Sequence, residues 1–443
     1  MDRAALLSPD RKAIAGDAAK SAQNLLAAEA KFSGPETPVF SRVAHLGNEI
    51  YVDIGSPSWQ AVRIDPDGWT IVASGDVPVR FCRSRSSLPL PLPERGGSLE
   101  SLRIIFPNID DAEWMLLKGF LIGCFQADGA RAFLELIGGQ GSGKSTLARY
   151  VACLIDPSDV PLRAMPKDEQ ALLIATIRKS LLGLDNISHI PTELADGLCR
   201  ISTGAGLGSR ALYSDKEEVL IKAQVPSLWT CIEPQAIRRP DLQDRTISLR
   251  LDQLDESTYR SEREIDEAFK EIQPRLLGAL YSAISCALAH RDTIQFDRLP
   301  RLADFSLWVE SAAESQDWQP GAFIDVFEAS RAVASAMAVD ASPIGTLLIE
   351  FMSTRKHWEG PASELLTELK ALADDDAKRD RSFPRDPTRL SGQLRRLQRP
   401  LISMGIWVGF NRSKHSRDIV LDRNDTASGT ESTSRQDADS EAF

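Results

Sequence analysis

One run constrains this chain more than any other: Gly138-Gly139-Gln140-Gly141-Ser142-Gly143-Lys144-Ser145-Thr146. It fits G-x-x-x-x-G-K-[ST]. An apolar run, FLELI (Phe133–Ile137), leads into it, and an amphipathic stretch, STLARYVACLI, leads out. Strand, glycine-rich turn and helix in that order form the start of a parallel α/β unit, with the loop at the strand's C-terminal end. The glycines let the backbone curl so that its N–H groups converge on phosphate oxygens, and the helix adds its positive N-terminal end. Lys144 would reach the outer phosphates, and the Ser145 hydroxyl would hold Mg²⁺. A nucleoside triphosphate and Mg²⁺ are therefore the expected cofactors. The loop alone does not separate a kinase from a GTPase or a motor.

The flanking pattern extends the α/β unit. Five candidate strands occur between Ser98 and about Leu251: Phe133–Ile137, Val160–Arg163, Ser180–Asp185, Pro226–Ile232 and Thr246–Leu251. Helical segments separate the first three, which predicts a parallel sheet with helices on its faces. Glu135 is an unusual residue for a central strand. Asp185 ends SLLGLD about 40 residues after the loop, where a carboxylate can hold Mg²⁺ through its water shell. The next residue is Asn186, where most ATPases of this kind carry a catalytic Glu. An amide orients water but cannot take its proton. Two readings stay open: Asn186 positions the water while Glu193 or Asp196 accepts the proton, or hydrolysis is slow. Thr230, near the end of VPSLWTC, can reach the same region, although threonine is also an ordinary strand residue. Arg245 precedes the fifth strand at a domain edge. It can act on a neighbouring subunit's phosphates or simply pair with Asp241 or Asp244.

Around this unit the chain is modular. Of its 443 residues, 42% are hydrophobic and 26% charged, which suits globular domains rather than disorder. Residues 1–97 read as a helix, a small antiparallel β module from short runs such as EIYVDI and WTIVAS, and a proline-rich connector, SRSSLPLPLPERGG. Residues 98–256 hold the sheet, and 257–342 read as all-helical. Residues 343–423 read as three helices and then two strands, the order of a winged helix. Residues 424–443 are polar and acidic, a composition that predicts disorder. Six dispersed cysteines with no CxxC pair, and five histidines, give no zinc site of the usual spacing and predict reduced thiols. With no leader-like N-terminus and no apolar run long enough to span a bilayer, a cytoplasmic location without membrane contact is expected.

The blocks Gly138–Ser145, LDNIS, ELADGLCRISTGAG, SRALYSDKEE and RPDLQDR, in that order, resemble the AAA+ ATPase module of primase–helicase proteins from phages and mobile elements, akin to superfamily 3 helicases. The resemblance covers about residues 40–423. It implies a P-loop AAA+ core, ATP as the nucleotide, and a ring, commonly a hexamer, that drives DNA. By the same resemblance Asp185 is the Mg²⁺-site acid, Thr230 the first sensor (commonly Asn), Arg245 the arginine finger, and Arg275 the second sensor. No primase motif is present in residues 1–97, so any primase is expected on a separate chain.

Two places suit nucleic acid. SRALYS and EEVLIKA flank Asp215-Lys216 as a hairpin, and in ring helicases of the resembled kind a hairpin there lines the pore. Arg210, Tyr213 and Lys216 offer two cations and a stacking ring for single-stranded DNA, beside the acidic Asp215, Glu217 and Glu218. The second place is the C-terminal unit. The chain carries a net −11, yet between residues 378 and 417 only Asp380 and Asp386 oppose eleven basic residues. Arg389, Arg395, Arg396 and Arg399 lie on or near the expected recognition helix, and Arg412 and Lys414 in the wing loop, facing duplex or forked DNA through salt-sensitive phosphate contacts. Three functions follow. The first is a DNA-dependent ATPase, a hexameric helicase or loader in replication of a mobile element. The second is an ATP-gated DNA-binding initiator that hydrolyses little. The third is a small-molecule kinase, which needs neither the helical segment nor the basic C-terminal unit.

Overall fold

The computed structural model describes residues 16–204, 207–210, 218–221, 223–232, 240–255, 259–296, 298–340, 342–380, 383–412 and 417–423. The fold is mixed α/β. Helix α1 (Gly16–Ser33) is almost wholly exposed and makes up the described part of the N-terminal helix read from the sequence. Strands β1 (Val39–Phe40), β2 (Val43–Leu46), β3 (Glu49–Asp53), β4 (Ala61–Asp65), β5 (Gly68–Val72) and β6 (Arg80–Phe81) follow. β2 to β5 form the expected antiparallel meander, while β1 and β6 pair in parallel beside it.

The nucleotide-type unit contains α2 (Asp111–Gly123), β7 (Phe133–Ile137), α3 (Lys144–Ile155), α4 (Glu169–Thr176), β8 (Leu182–Leu184), α5 (Thr192–Thr203), the hairpin strands β9 (Leu207–Arg210) and β10 (Glu218–Ile221), β11 (Ser227–Cys231), α6 (Pro240–Gln243) and β12 (Thr246–Arg250). Its sheet has four parallel strands in the order β12-β7-β11-β8. The expected fifth strand at Val160–Arg163 is not a ladder. Arg163 makes one parallel bridge to Leu184, and Pro161 denies this short segment one of the donors a full strand needs.

Glu135 is the centre of a polar cluster inside the sheet. Its register partners Trp229 and Ser248 donate to it from the strands on either side, through Nε1 at 3.2 Å and Oγ at 2.9 Å. The Cys231 thiol adds a 3.5 Å contact. Burial pushes the carboxyl's pKa up, against these donors. A central acid is tolerated because three donors meet it there.

Helix α7 (Glu262–His290) packs against β4 and β5 of the β module and against α2 and α3; α8 (Ala303–Glu310) packs against α2; and α9 (Ala322–Asp340) packs against α2, α8 and strand β12 of the sheet. No break in packing separates them from the β module. Ile50, Val62 and Trp69 of the module, Leu134 and Leu147 beside the loop, Leu276 and Tyr281 of α7, and Phe305, Phe323 and Phe327 share one apolar core. The proline-rich connector is a strap, not a free linker. Leu90 is buried, Leu90 N donates to Ile54 O, Leu88 N to Pro157 O and Glu94 N to Pro274 O. Buried Arg42 fastens the module to the end of α3, donating to Asp53 O, Leu88 O and the Asp156 carboxylate. A composition shift therefore marks a change of secondary structure here but no division of the core.

The C-terminal unit has its own core, from Ile344 and Phe351 to Leu394 and Leu421. It comprises α10 (Pro343–Ser353), β13 (His357–Pro361), α11 (Ala362–Leu372), a short α12 (Asp375–Arg379), α13 (Pro387–Ser403), β14 (Ile406–Arg412) and β15 (Arg417–Arg423). The helices and the final hairpin stand where the sequence places them. The pattern missed β13, which completes a sheet in the order β13-β15-β14. Its sequence, HWEGP, holds Gly and Pro and has no alternation to signal a strand. Helix α13 packs against α9, joining this unit to the rest. Residues 424–443 lie outside the described residues.

Candidate nucleotide site

Gly138–Thr146 runs from the end of β7 into α3. Gly141 and Gly143 adopt positive φ, 82° and 83°, which side-chain-bearing residues rarely take. At Gly138 a Cβ would lie 2.7 Å from Leu251 O, so only glycine lets β12's continuation pass. Asn108, a residue the sequence reading missed, braces the loop. Its amide donates to Ser142 O at 3.0 Å and to Asp252 O at 2.6 Å, tying the loop to the segment after β12. No motif announces it, because its partners are backbone atoms distant in sequence.

Lys144 Nζ donates to Gly139 O and, at 3.3 Å, to Ser142 Oγ. The ammonium thus closes the loop on itself. Partial burial lowers its pKa, so an anion arriving there would meet an under-solvated cation.

The strand order explains the rest of the site. β11 lies between the loop strand β7 and the Asp185 strand β8. Thr230, buried near the end of β11, donates from Oγ1 to Asp185 Oδ1 at 2.6 Å. The Ser145 hydroxyl donates to the same oxygen at 2.8 Å. The three residues proposed from sequence for one site, Ser145, Asp185 and Thr230, are therefore in contact. A hydroxyl and a carboxylate at this spacing are hard oxygen donors of the kind Mg²⁺ takes. The arrangement fits the cation that the loop pattern implies.

Asn186 takes positive φ (54°), and its backbone N–H donates to Thr230 Oγ1 at 2.8 Å. Its side chain is exposed. Asparagine enters this left-handed region more readily than glutamate, so the backbone supplies a reason for the amide in place of an acid. Asn186→Ala should cost about 1 kcal/mol of unfolding free energy, while Asn186→Gly should stay within about 0.5 kcal/mol of wild type, read by urea denaturation. Equal loss in both would mean the side chain, not the φ angle, matters. Glu193 is exposed in the first turn of α5, and Asp196 is half-buried one turn on.

The other predicted residues are spread over the molecule. Arg245 stands at the N-terminal end of β12, the opposite end of the sheet from the loop, with Nη1 donating to Asp241 O at 2.7 Å. Arg275 is not brought to the loop within this chain. Helix α7 meets α3 near its start, through Glu262–Arg149 and Asp266–Tyr150, and Arg275 lies about 20 Å further along than Glu262, paired with Glu94 of the strap. Arg275 follows Pro274 in the middle of α7 rather than at a helix start. A different acid, Glu113 in the first turn of α2, lies at the loop end of β12, accepts from Arg250 N at 2.8 Å, and has its pKa pushed by burial to about 7.

The predicted hairpin between α5 and β11 exists as the antiparallel pair β9–β10. Tyr213 and Lys216 at its tip, and Lys414 in the other loop, lie outside the described residues, as do the side chains of Arg210 and Arg412. In α13, Arg389 is exposed beside Asp386, Arg396 is exposed, and Arg395 stacks 4.3 Å over the Phe410 ring. Arg399, expected to contact DNA, pairs instead with Asp244 of the sheet unit. Helical spacing could not show this, because the partner lies 155 positions away. Cys286, His290 and Glu314 also come together, with ligand-type atoms within 4.8 Å of one another, a grouping no sequence spacing shows.

Residues 102–319 match the family described as actinomycete integrative conjugative element replication protein, and residues 344–435 match its C-terminal domain. The chain belongs to that family. It is thus a replication protein of a mobile element, and the expected link to mobile-element replication is borne out. No curated protein matches the chain. Among solved structures, one titled as the active helicase Cch of SCCmec type IV aligns at 12% identity and TM-score 0.47, over 93% of this chain and 84% of that one. The C-terminal region of NrS-1 aligns at 13% identity and TM-score 0.34, over 84% of this chain and 95% of that one. At these scores neither likeness carries an argument. Among the described residues no helix is long and apolar enough to cross a membrane.

Proposed function

We propose that this replication protein is an ATP-dependent DNA motor, a ring helicase or a helicase-like ATPase, that hydrolyses ATP between subunits. The observation that supports it most is the meeting of Ser145, Asp185 and Thr230 beside the Lys144 loop. In this reading Gly138–Thr146 wraps the phosphates, Lys144 contacts the outer ones, and Ser145 and Asp185 hold Mg²⁺, directly and through water. Thr230 fixes the Asp185 carboxylate, and Asn186 orients water. Arg245 serves the neighbouring subunit, which calls for a closed ring, and a homo-hexamer is the form proposed. The β9–β10 hairpin with Arg210, Tyr213 and Lys216 grips a single strand. The C-terminal unit acts as a winged helix that meets duplex or fork through Arg389, Arg395, Arg396, Arg399, Arg412 and Lys414. Priming is left to a separate chain.

Asn186 favours a second reading, an ATP-gated DNA-binding initiator with little hydrolysis, since the exposed amide at that position cannot accept a proton. ATP turnover by the purified chain, with and without single-stranded DNA, separates the two. DNA-stimulated turnover is the expected result. Tight ATP binding without turnover would leave the switch.

A further inference from the structure

Asp244 receives guanidinium groups from three separate elements. Arg301, just before α8, donates at 2.5 Å; Arg331 of α9 donates at 3.1 Å; Arg399 of α13 also bonds the carboxylate. Among the described residues a second carboxylate, that of Asp241, lies 3.7 Å from Arg301. Among the described residues two anions face three cations, and Arg245 follows directly in sequence, so the described groups at the seam between the sheet unit and the C-terminal unit carry excess positive charge. Asp244 is only 14% exposed, whereas Arg399 is 56% exposed. The cleft they share is lined by Thr246, Ser248, Ser330 and Ser335; Thr246 and Ser248 give their hydroxyl protons to Leu242 O and Glu135, and Ser330 and Ser335 bring hydroxyls from α9. Guanidinium forks with hydroxyl donors form the donor set that phosphodiester oxygens take. Arg399 also shares its helix with the exposed Arg389, Arg395 and Arg396.

We infer that this cleft is a DNA-phosphate site in which Asp244 is the internal anion, holding Arg399 until a backbone phosphate replaces it. The inference rests on the proposed DNA-binding role of the C-terminal unit. The exchange makes and breaks ion pairs only. Asp244 lowers DNA affinity by occupying Arg399, and it relays DNA contact to the turn that carries Arg245. Asp241 and Asp244 flank that turn, and Arg245 Nη1 is bonded to Asp241 O. A phosphate that draws Arg399 away loosens one of the ties on Asp244, the residue before Arg245.

The test uses the full chain and a fluorescein-labelled duplex, read by anisotropy across a salt series. Asp244→Asn keeps the shape and removes the charge. It should tighten binding by about fivefold, and Arg399→Ala should weaken binding and lower the salt slope by about one. In the double variant the gain from Asp244→Asn should vanish. A gain that persists without Arg399, or no gain at all, overturns the inference. Should Asp244→Asn fail to fold by circular dichroism, Arg399→Ala decides alone: an unchanged affinity and slope overturns it, and a slope lower by about one supports it. A wild-type chain that binds no duplex would remove the DNA-binding reading itself, and this inference with it. That result is distinct from intact binding indifferent to Asp244.

Discussion

Arg245→Ala is expected to lower ATP turnover by about 10³-fold while leaving ATP binding near wild type, because a guanidinium supplied across an interface acts on charge that develops during phosphoryl transfer. Parallel topology carries the geometric argument. The loop follows the C-terminal end of β7 and Arg245 precedes the N-terminal end of the adjacent β12. Five residues of strand separate the two ends by about 16 Å, so Arg245 cannot touch its own subunit's nucleotide. Its backbone is fixed, with N donating to Leu242 O and O accepting from Phe133 N, so the arginine is held on the far edge. A site made from two subunits has a signature. Arg245→Ala and Lys144→Ala chains, each inactive alone, should regain turnover when mixed before assembly, since about a quarter of random interfaces then hold one intact Lys144 and one intact Arg245. Mixtures that stay inactive would assign Arg245 to its local contact with Asp241.

Much of the sheet unit and its site could be read from residues alone because their constraints are local. Positive φ at Gly141 and Gly143 demands glycine, a phosphate loop demands a strand before and a helix after, and an acid at the end of a neighbouring strand follows at a familiar distance. What stayed hidden depends on contacts far apart in sequence. Nothing near Glu135 announces that Trp229 and Ser248 will flank it in register. Asn108 braces the loop through backbone atoms, and Asp244 gathers arginines from positions 301, 331 and 399. Arg399 shows the converse. Its place on α13 is legible, but spacing along a helix fixes only which residues share a face, not what that face meets.

The second large effect is expected at Lys144. Lys144→Ala should lower ATP hydrolysis by about 10²–10³-fold, the range seen when one preorganised electrostatic group is removed from a reaction centre. The side chain's contacts are Gly139 O and Ser142 Oγ, both within the loop, and it supports no core. Removing it should change unfolding free energy by no more than about 0.5 kcal/mol. Lys144→Arg should fail as well, because a planar fork cannot fill the place of a compact ammonium between a carbonyl and a hydroxyl. The decisive readout pairs turnover with the rise in Tm on adding ATP and Mg²⁺. Ligand that binds only the folded state raises Tm, so both the rise and the turnover should fall in Lys144→Ala. A variant that keeps turnover within threefold, and keeps the full rise, would place the nucleotide elsewhere. The contact of Ser145 with Asp185 would then be a structural hydrogen bond, and the trans role of Arg245 would lose its target.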